Sequence, residues 1–294
     1  FHLAGIPTYL IVAELAVNPG RGGRRARPPP SLVRRAPEPA EGKRRSMPTL
    51  TVLTPVHEGG HVYLRELHGC LAGQRLPEGW RLQWVLQEDG RTGTPLAAVP
   101  DAPWISKGTG RQGGAARART LGLDRATGTL LRCVDADDLL PDPGALARDI
   151  EVLTAHPSYG WTVAPCLDLL PDGILVPGPY DPPPGPLPAR ALLDGAKRGE
   201  MPVVGTTLTA RTALVRLLGG WPALPAFEDG ALVLNCEAVS PGWMQSVPGT
   251  LYRKHPTQHT ATADFRDEEE ARLRVEIAVE RAEALHASGW RWAP

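Results

Sequence analysis

Cysteine is present in this chain, but never in pairs that do chemistry. Cys70, Cys133, Cys166 and Cys236 lie far apart, with no C-x-x-C spacing among them. Scattered thiols of this kind argue for reduced, mostly buried side chains and a cytoplasmic protein, and against a disulfide framework or a zinc site. Long apolar runs are missing too. A membrane-spanning helix needs about 20 apolar residues. The nearest approach, residues 1–17 (FHLAGIPTYLIVAELAV), is broken by Pro7 and Glu14. The basic cluster follows this stretch, whereas in a signal peptide it would precede it. A membrane-embedded, polymerising synthase is therefore not expected. There is no internal repeat, which sets aside solenoids and propellers.

Net charge is also absent, but only as a sum. Residues 1–46 hold nine Lys/Arg against three acids, so this segment carries +6 and the remainder −6. A body of that sign lacks the basic face of a nucleic-acid binder. The segment is rich in Arg and Pro and cannot bury enough apolar surface to fold alone. We expect residues 1–46 to be a disordered basic extension that is not native, with Met47 as the natural start. The alternative is a basic tail that touches membrane or nucleic acid. Heavy use of Ala, Gly, Arg and Pro suggests a bacterial source with a GC-rich genome.

The remaining chain is organised around residues 130–140, LLRCVDADDLL. Leu130, Leu131, Cys133 and Val134 read as a buried strand that stops at Asp135, Asp137 and Asp138. In open α/β sheets ligands bind at the carboxyl ends of strands. Two carboxylates one residue apart at such an end can hold a divalent cation and leave positions for substrate phosphate. Asp138 is expected to cap the following helix.

Ahead of this stretch, Thr51–Val56 reads as a strand, followed by a helix with Leu64, Leu67 and Leu71 on one face. Leu82–Leu86 is a second strand ending at Glu88, Asp89 and Gly90, and Trp104–Ser106 a short third. Gly113–Ala126 reads as a helix with Gly128 as its C-cap. This alternation implies a mainly parallel sheet with its strand tips on one side, so Asp89 and Asp135 should face one crevice. Beyond Asp138 the pattern loosens. Trp161–Leu169 and Ile174–Val176 suggest strands, Arg190–Arg198 and Thr212–Leu218 helices, and 177–188 a proline-dense loop. Glu228 and Asp229 precede the apolar run Ala231–Leu234. Residues 266–287 read as an amphipathic packing helix with Leu273, Ile277 and Leu285 on its apolar face.

Taken in order, these features resemble a family 2 glycosyltransferase with the GT-A fold, over most of Thr51–His259. Thr54-Pro55-Val56 resembles the family's opening strand and the turn beneath the nucleotide base, and Gln74 its glutamine after the first helix. Glu88-Asp89-Gly90 resembles the tip that contacts base and ribose. Gly114, Ala118, Arg119 and Gly122 fall on its G-x-x-x-A-R-N-x-G pattern. Asp135-Ala136-Asp137 is similar to the D-x-D metal motif, Glu228-Asp229 to the later acidic pair, and Tyr252-Arg253-Lys254-His255 to the Y-R-x-H element. The chain departs from the pattern at Thr120 (for Asn), at His57 and Glu58 (for Tyr or Asn), and at Gly230, where an aromatic usually follows the acidic pair.

The resemblance implies an α/β architecture, a Rossmann-like, mainly parallel central sheet flanked by helices. It implies a donor half at 47–140, an acceptor half at 141–262 and a packing helix within 263–294. The implied reaction is transfer of a sugar, with inversion, from a nucleotide-diphosphate sugar to a hydroxyl or amine of a small molecule or glycan. Thr54, Pro55, Val56, Glu58, Asp89, Arg119, Asp135 and Ala136 would bind the donor. Mn²⁺ or Mg²⁺ would be held by Asp137, with Asp135 and His255 assisting. Arg119 pairs with phosphate, fixes the acidic tips, or is a solvated helix arginine. Asp229 would be the catalytic base and Glu228 its reserve. Trp221 and Trp243 either line the acceptor side or pack. The alternatives are a degenerate homologue that binds nucleotide sugar without turnover, and an Asp-nucleophile phosphatase. The phosphatase would want its D-x-D on the first strand rather than the fourth.

Overall fold

The computed structural model describes residues 47–178, 181–261, 265 and 267–294. The expectation for residues 1–46 lies outside them. Residues Ser46–Pro294 form one compact unit. Its centre is β1 (Thr49–Val56), whose residues Leu50–Leu53 and Thr54 are all buried. Buried on both faces, it suits the middle of a parallel sheet. After α1 (His61–Ala72), β2 (Arg81–Glu88) runs parallel to β1 with Leu50 opposite Leu82. A single turn, α2 (Thr94–Ala97), leads to β3 (Ile105–Gly108), parallel to β2. Then α3 (Ala115–Arg125) returns the chain to β4 (Leu130–Cys133), parallel to β1 on its other side. All four strands present their C-terminal tips together, as the alternation implied.

The second half interleaves. After α4 (Ala145–Ala155), β5 (Trp161–Val163) is followed by β6 (Cys166–Leu169), β7 (Leu175–Pro177) and β8 (Gly185–Pro186). Next come α5 (Ala191–Lys197), β9 (Thr209–Arg211) and α6 (Thr212–Leu217). The chain closes with α7 (Glu228–Val239), β10 (Gly242–Met244), β11 (Thr250–Arg253) and α8 (Glu268–Ala287). The main sheet runs β3-β2-β1-β4-β9-β5-β10-β8, with β9 antiparallel between β4 and β5. A smaller sheet, β11-β6-β7, stands apart and carries the Tyr252–His255 region.

Alternation along β1 divides the core between the two faces. Leu50 and Val52 join Leu64, Leu67, Trp84, Leu146 and Ile150 on the side of α1 and α4. Leu53 joins Val85, Leu131, Trp161, Leu214 and Leu232 on the side of α3, α6 and α7. Each fully buried side chain of this size contributes about 1.5–3 kcal/mol.

Three local expectations are corrected, and one apolar run left unassigned takes its place. Gly128 does not cap α3, which ends at Ala126 in an extended conformation. Instead Gly128 lies so close to β1 that a Cβ would meet Thr51 N at 2.7 Å, and its N–H donates to Thr51 Oγ1 at 2.9 Å. Asp138 does not cap α4, whose first turn follows Gly144. It is buried, and its Oδ1 accepts from Arg253 N at 3.1 Å. The run Ala231–Leu234 belongs to a helix, α7, buried on every side. The inward face of α8 is not Leu273 and Ile277, which are 46% and 43% exposed. It is Arg274, Ala278 and Ala282, with Val279 and Leu285 partly buried beside them.

Candidate active site

The acidic tip of β4 is tied down by one arginine. Arg119, on α3, is 3% exposed, and its Nη2 lies 2.5 Å from Asp135 Oδ1. Its Nη1 pairs with Glu228 Oε1 at the start of α7. One guanidinium fork therefore joins the tip of a central strand to the first turn of a distant helix, a role for which its fixed geometry suits it. Burial alone would lower the Arg119 pKa, but the charges of Asp135 and Glu228 outweigh it and raise the value well above normal. Burial raises the Asp135 pKa, Arg119 opposes that rise, and the charges of Asp137 and Asp229 add to it. Arg119 is thus not a solvated helix arginine: it is buried and paired with both acids.

Asp137 points elsewhere. Its Oδ2 stands 2.9 Å from His255 Nε2, just beyond β11, while its carbonyl accepts from Arg253 Nε at 2.8 Å. Arg253 also reaches Glu66 on α1 at 2.7 Å and lies over the Tyr63 ring. Tyr63 meets the His255 ring with centroids 5.0 Å apart. Burial dominates the rise of the Asp138 pKa, with Asp135 and Asp137 pushing further. Among the described residues no three His, Cys, Asp or Glu side chains are arranged to hold a metal unaided. Mg²⁺-like ions, however, take one or two protein ligands and fill the rest with water and phosphate, in octahedra with bonds of about 2.0–2.1 Å. Adjacent ligands of such an octahedron are about 3 Å apart. The Asp137 Oδ2 to His255 Nε2 separation fits that edge. As the pair stands, His255 Nε2–H donates to Asp137 Oδ2; to hold an ion Nε2 would give up that proton, with Nδ1, 3.0 Å from Thr257 Oγ1, as the protonated nitrogen. Asp135 Oδ1 is taken by Arg119, and the pair that stands at the edge spacing is Asp137 with His255.

The acidic pair opens α7. Glu228 is buried against Arg119, and its pKa is pushed up to about 7, chiefly by burial and further by the Asp229 charge, with Arg119 opposing. Asp229 is half-buried, and its Oδ1 accepts from Gly230 N at 2.7 Å. The aromatic missing after the pair is supplied from before it. Phe227 adopts a left-handed backbone, φ 65°, and its ring fills the space that a side chain at residue 230 would occupy. A left-handed non-glycine residue stores local strain that the surroundings must hold.

The residues expected at the donor line the other strand tips. Asp89 accepts from the backbone N–H groups of Gly113 and Gly114 at 2.7 and 2.9 Å, anchoring the start of the helix that carries Arg119. Glu88 is buried and holds Thr92 and Gly93. Thr54 faces the core, where its Oγ1 accepts from the Trp84 indole at 3.0 Å. Pro55 is half-buried and Glu58 exposed. Val56 and Ala136 are buried side by side around Gly60, whose absent Cβ would lie 3.1 Å from Val56 Cγ2 and 3.7 Å from Ala136 Cβ. Gln74 lies away from these tips, past the C-terminal end of α1, donating to Asp142 O at 2.9 Å and accepting from Leu146 N at 3.2 Å. Trp221 is core, and Trp243 stacks on His156 with centroids 4.7 Å apart. Sequence reasoning missed Tyr63 and Glu66, which sit on the outward face of an ordinary amphipathic helix and carry no motif.

No protein-family model and no curated protein matches the sequence. Solved structures do. S. aureus TarS residues 1–349 in complex with UDP-GlcNAc superposes with a TM-score of 0.60 at 18% identity, covering 82% of this chain and 71% of that one. The mannosyltransferase PcManGT of Pyrobaculum calidifontis, in complex with GDP-Man and Mn²⁺, gives 0.51 at 18% identity, covering 81% and 74%. The chain thus shares the GT-A-like fold of these nucleotide-sugar-bound proteins, an eight-stranded, largely parallel sheet flanked by helices.

Proposed function

We propose that this protein is an inverting glycosyltransferase that moves a sugar from a nucleotide-diphosphate sugar to an acceptor hydroxyl or amine, assisted by Mn²⁺ or Mg²⁺. The observation that carries the reading is the Arg119 fork. It unites Asp135, from the strand tip where a nucleotide would lie, with Glu228, next to the one acid of the pair that stays partly open. The same fold in TarS is bound to UDP-GlcNAc and in PcManGT to GDP-Man with Mn²⁺, which supports a nucleotide-sugar donor here.

In this reading Asp137 and His255 hold the ion. When bound, it supplies Lewis-acid stabilisation of the leaving diphosphate. The chain's own groups do the rest. Asp89 and Arg119 set the donor crevice, and Val56 and Ala136 form its apolar floor. Asp229 accepts the proton from the acceptor as its oxygen or nitrogen bonds to the anomeric carbon. The bond from that carbon to the diphosphate breaks, and its electron pair leaves with the diphosphate. A single displacement needs one base, and Glu228 is already committed to Arg119. We extend the proposal to the halves of the chain, 47–140 for the donor and 141–262 for the acceptor, with 263–294 as packing. No helix among the described residues is long and apolar enough to cross a membrane; the acceptor we propose is a small molecule or glycan in the cytoplasm.

The test is a screen of UDP and GDP, with and without Mn²⁺, by thermal shift, followed by product detection with the matching nucleotide sugars. A bound nucleotide raises the melting temperature by mass action. Mn²⁺-dependent stabilisation by one diphosphate and sugar transfer from its donor are expected. No stabilisation by these or by the ADP, CDP and dTDP added to the same screen would refute the reading.

A further inference from the structure

Asp229 leans on a residue that no motif marks. Gly205 opens a buried 3-10 turn, Gly205–Thr207. A side-chain carbon built on Gly205 would overlap Asp229 Cβ, Cγ and Oδ2 together. The backbone does not call for glycine, since Gly205 is not among the positive-φ residues. Space is the requirement: the bare backbone is the surface against which the carboxylate lies.

That surface is itself anchored. Thr207 donates from both N and Oγ1 to Val204 O, at 3.0 and 2.8 Å. Thr206 O accepts from Thr250 Oγ1 at 3.4 Å, and the same hydroxyl accepts from Arg132 Nη2 at 2.9 Å. Arg132 is fully buried in β4 and paired with Asp149 at 2.5 Å. The Thr206 side chain lies beside Asp138. A continuous set of contacts therefore runs from the strand that ends in the acidic tip, through Arg132, Thr250 and Thr206, to the turn beneath Asp229.

We infer that the Gly205–Thr207 turn is the positioning element for the Asp229 carboxylate, with Gly205 as its supporting wall and Thr206 as the anchor that fixes the wall relative to the β4 tip. This rests on the proposed role of Asp229 and deepens it. A general base must stand within about 2.6–3.2 Å of the proton it takes. A misplacement of about 1 Å can cost about 10²-fold in rate.

Two double-mutant cycles on the full chain test the inference. In the stability cycle, Gly205→Ala should lower Tm by about 5 °C, the scale expected for overpacking in a chain of this size. The same change in an Asp229→Gly background should cost about 1 °C or less, because the overlapping atoms are gone. In the kinetic cycle, Gly205→Ala should lower kcat by about tenfold or more with nucleoside diphosphate Kd within about twofold, and should add nothing to Asp229→Asn. If Gly205→Ala does not fold, Thr250→Val is the milder probe, because it removes the hydroxyl that links Arg132 to the Thr206 carbonyl, with the same split between kcat and Kd expected. Equal Tm losses in both backgrounds, or kinetic losses that multiply, would overturn the positioning role. A wild-type protein that transfers no sugar would refute glycosyl transfer instead, and the stability cycle would still decide whether Gly205 holds Asp229.

Discussion

His255 and Asp137, 118 residues apart in sequence, meet at 2.9 Å and join the end of the small sheet to the acidic tip of β4. The contact has two ligand atoms at the spacing of an octahedral edge, and its value depends on the carboxylate charge. Asp137→Asn should abolish Mn²⁺-dependent binding of nucleoside diphosphate and leave Tm within about 2 °C, since Asp137 is partly exposed and an amide keeps its shape. Calorimetric titration with and without Mn²⁺ checks this, and unchanged binding would remove Asp137 from the ion site.

Asp229→Asn should lower kcat by about 10² or more, the usual worth of a general base, with donor affinity nearly unchanged. Glu228→Gln should act differently. It loosens the Arg119 fork, so stability is expected to fall along with turnover. A dead Glu228→Gln beside an active Asp229→Asn would swap the two roles, and normal turnover by both would place the base elsewhere.

Arg119→Met removes the shared cation from Asp135 and Glu228. Breaking a buried ion pair by deleting one partner costs about 3–5 kcal/mol, because the remaining charge is left without compensation. Urea denaturation should show a loss of that order. A loss below about 0.5 kcal/mol, the usual effect of an exposed substitution, would mean the fork is not a structural tie.

Glu283 on α8 receives Arg190 at 2.7 Å and pairs with Lys197 on α5. Hydrogen bonds from Arg190 and then Lys197 lower its pKa from 4.5 to about 2. The folded state therefore holds its proton less tightly than the unfolded state. The stabilisation is fully present above about pH 4.5 and disappears as pH falls through about 2. The Tm difference between wild type and Glu283→Gln should be constant above pH 5 and close to zero at pH 2. A difference that grows toward low pH would contradict the assignment.

The first half of this fold was legible because each parallel strand is a continuous apolar run ending in polar residues. Thr51–Val56 and Leu82–Leu86 lie within the strands found, as does the run before Asp135 except Val134, one residue past β4. The second half hides its plan. Thr209–Arg211 is a three-residue strand held antiparallel by neighbours on both sides, too short to show a period. Helix α7 is buried all round, so Ala231–Leu234 shows no polar face and cannot be distinguished from a strand by pattern. Arg119 and the acids at 135 and 228 were visible as types, but their meeting depends on tertiary structure. Gly205 gave no signal, because its role is the space beside it. The α8 face was misread by one position: large apolar residues suggested the buried side, and close helix packing selected alanines instead.

Those alanines have a further consequence. Where large side chains separate two helices, a change of rotamer can absorb an added methyl group. Ala278 and Ala282 are buried and have no rotamer to change, so they offer no such give. Added bulk there, as in Ala282→Val, would shift a helix axis rather than a side chain. Because α7 is the helix that α8 packs against and its first turn bears Glu228 and Asp229, the last helix works as a shim. Far from the crevice, its thickness helps set where the acids stand.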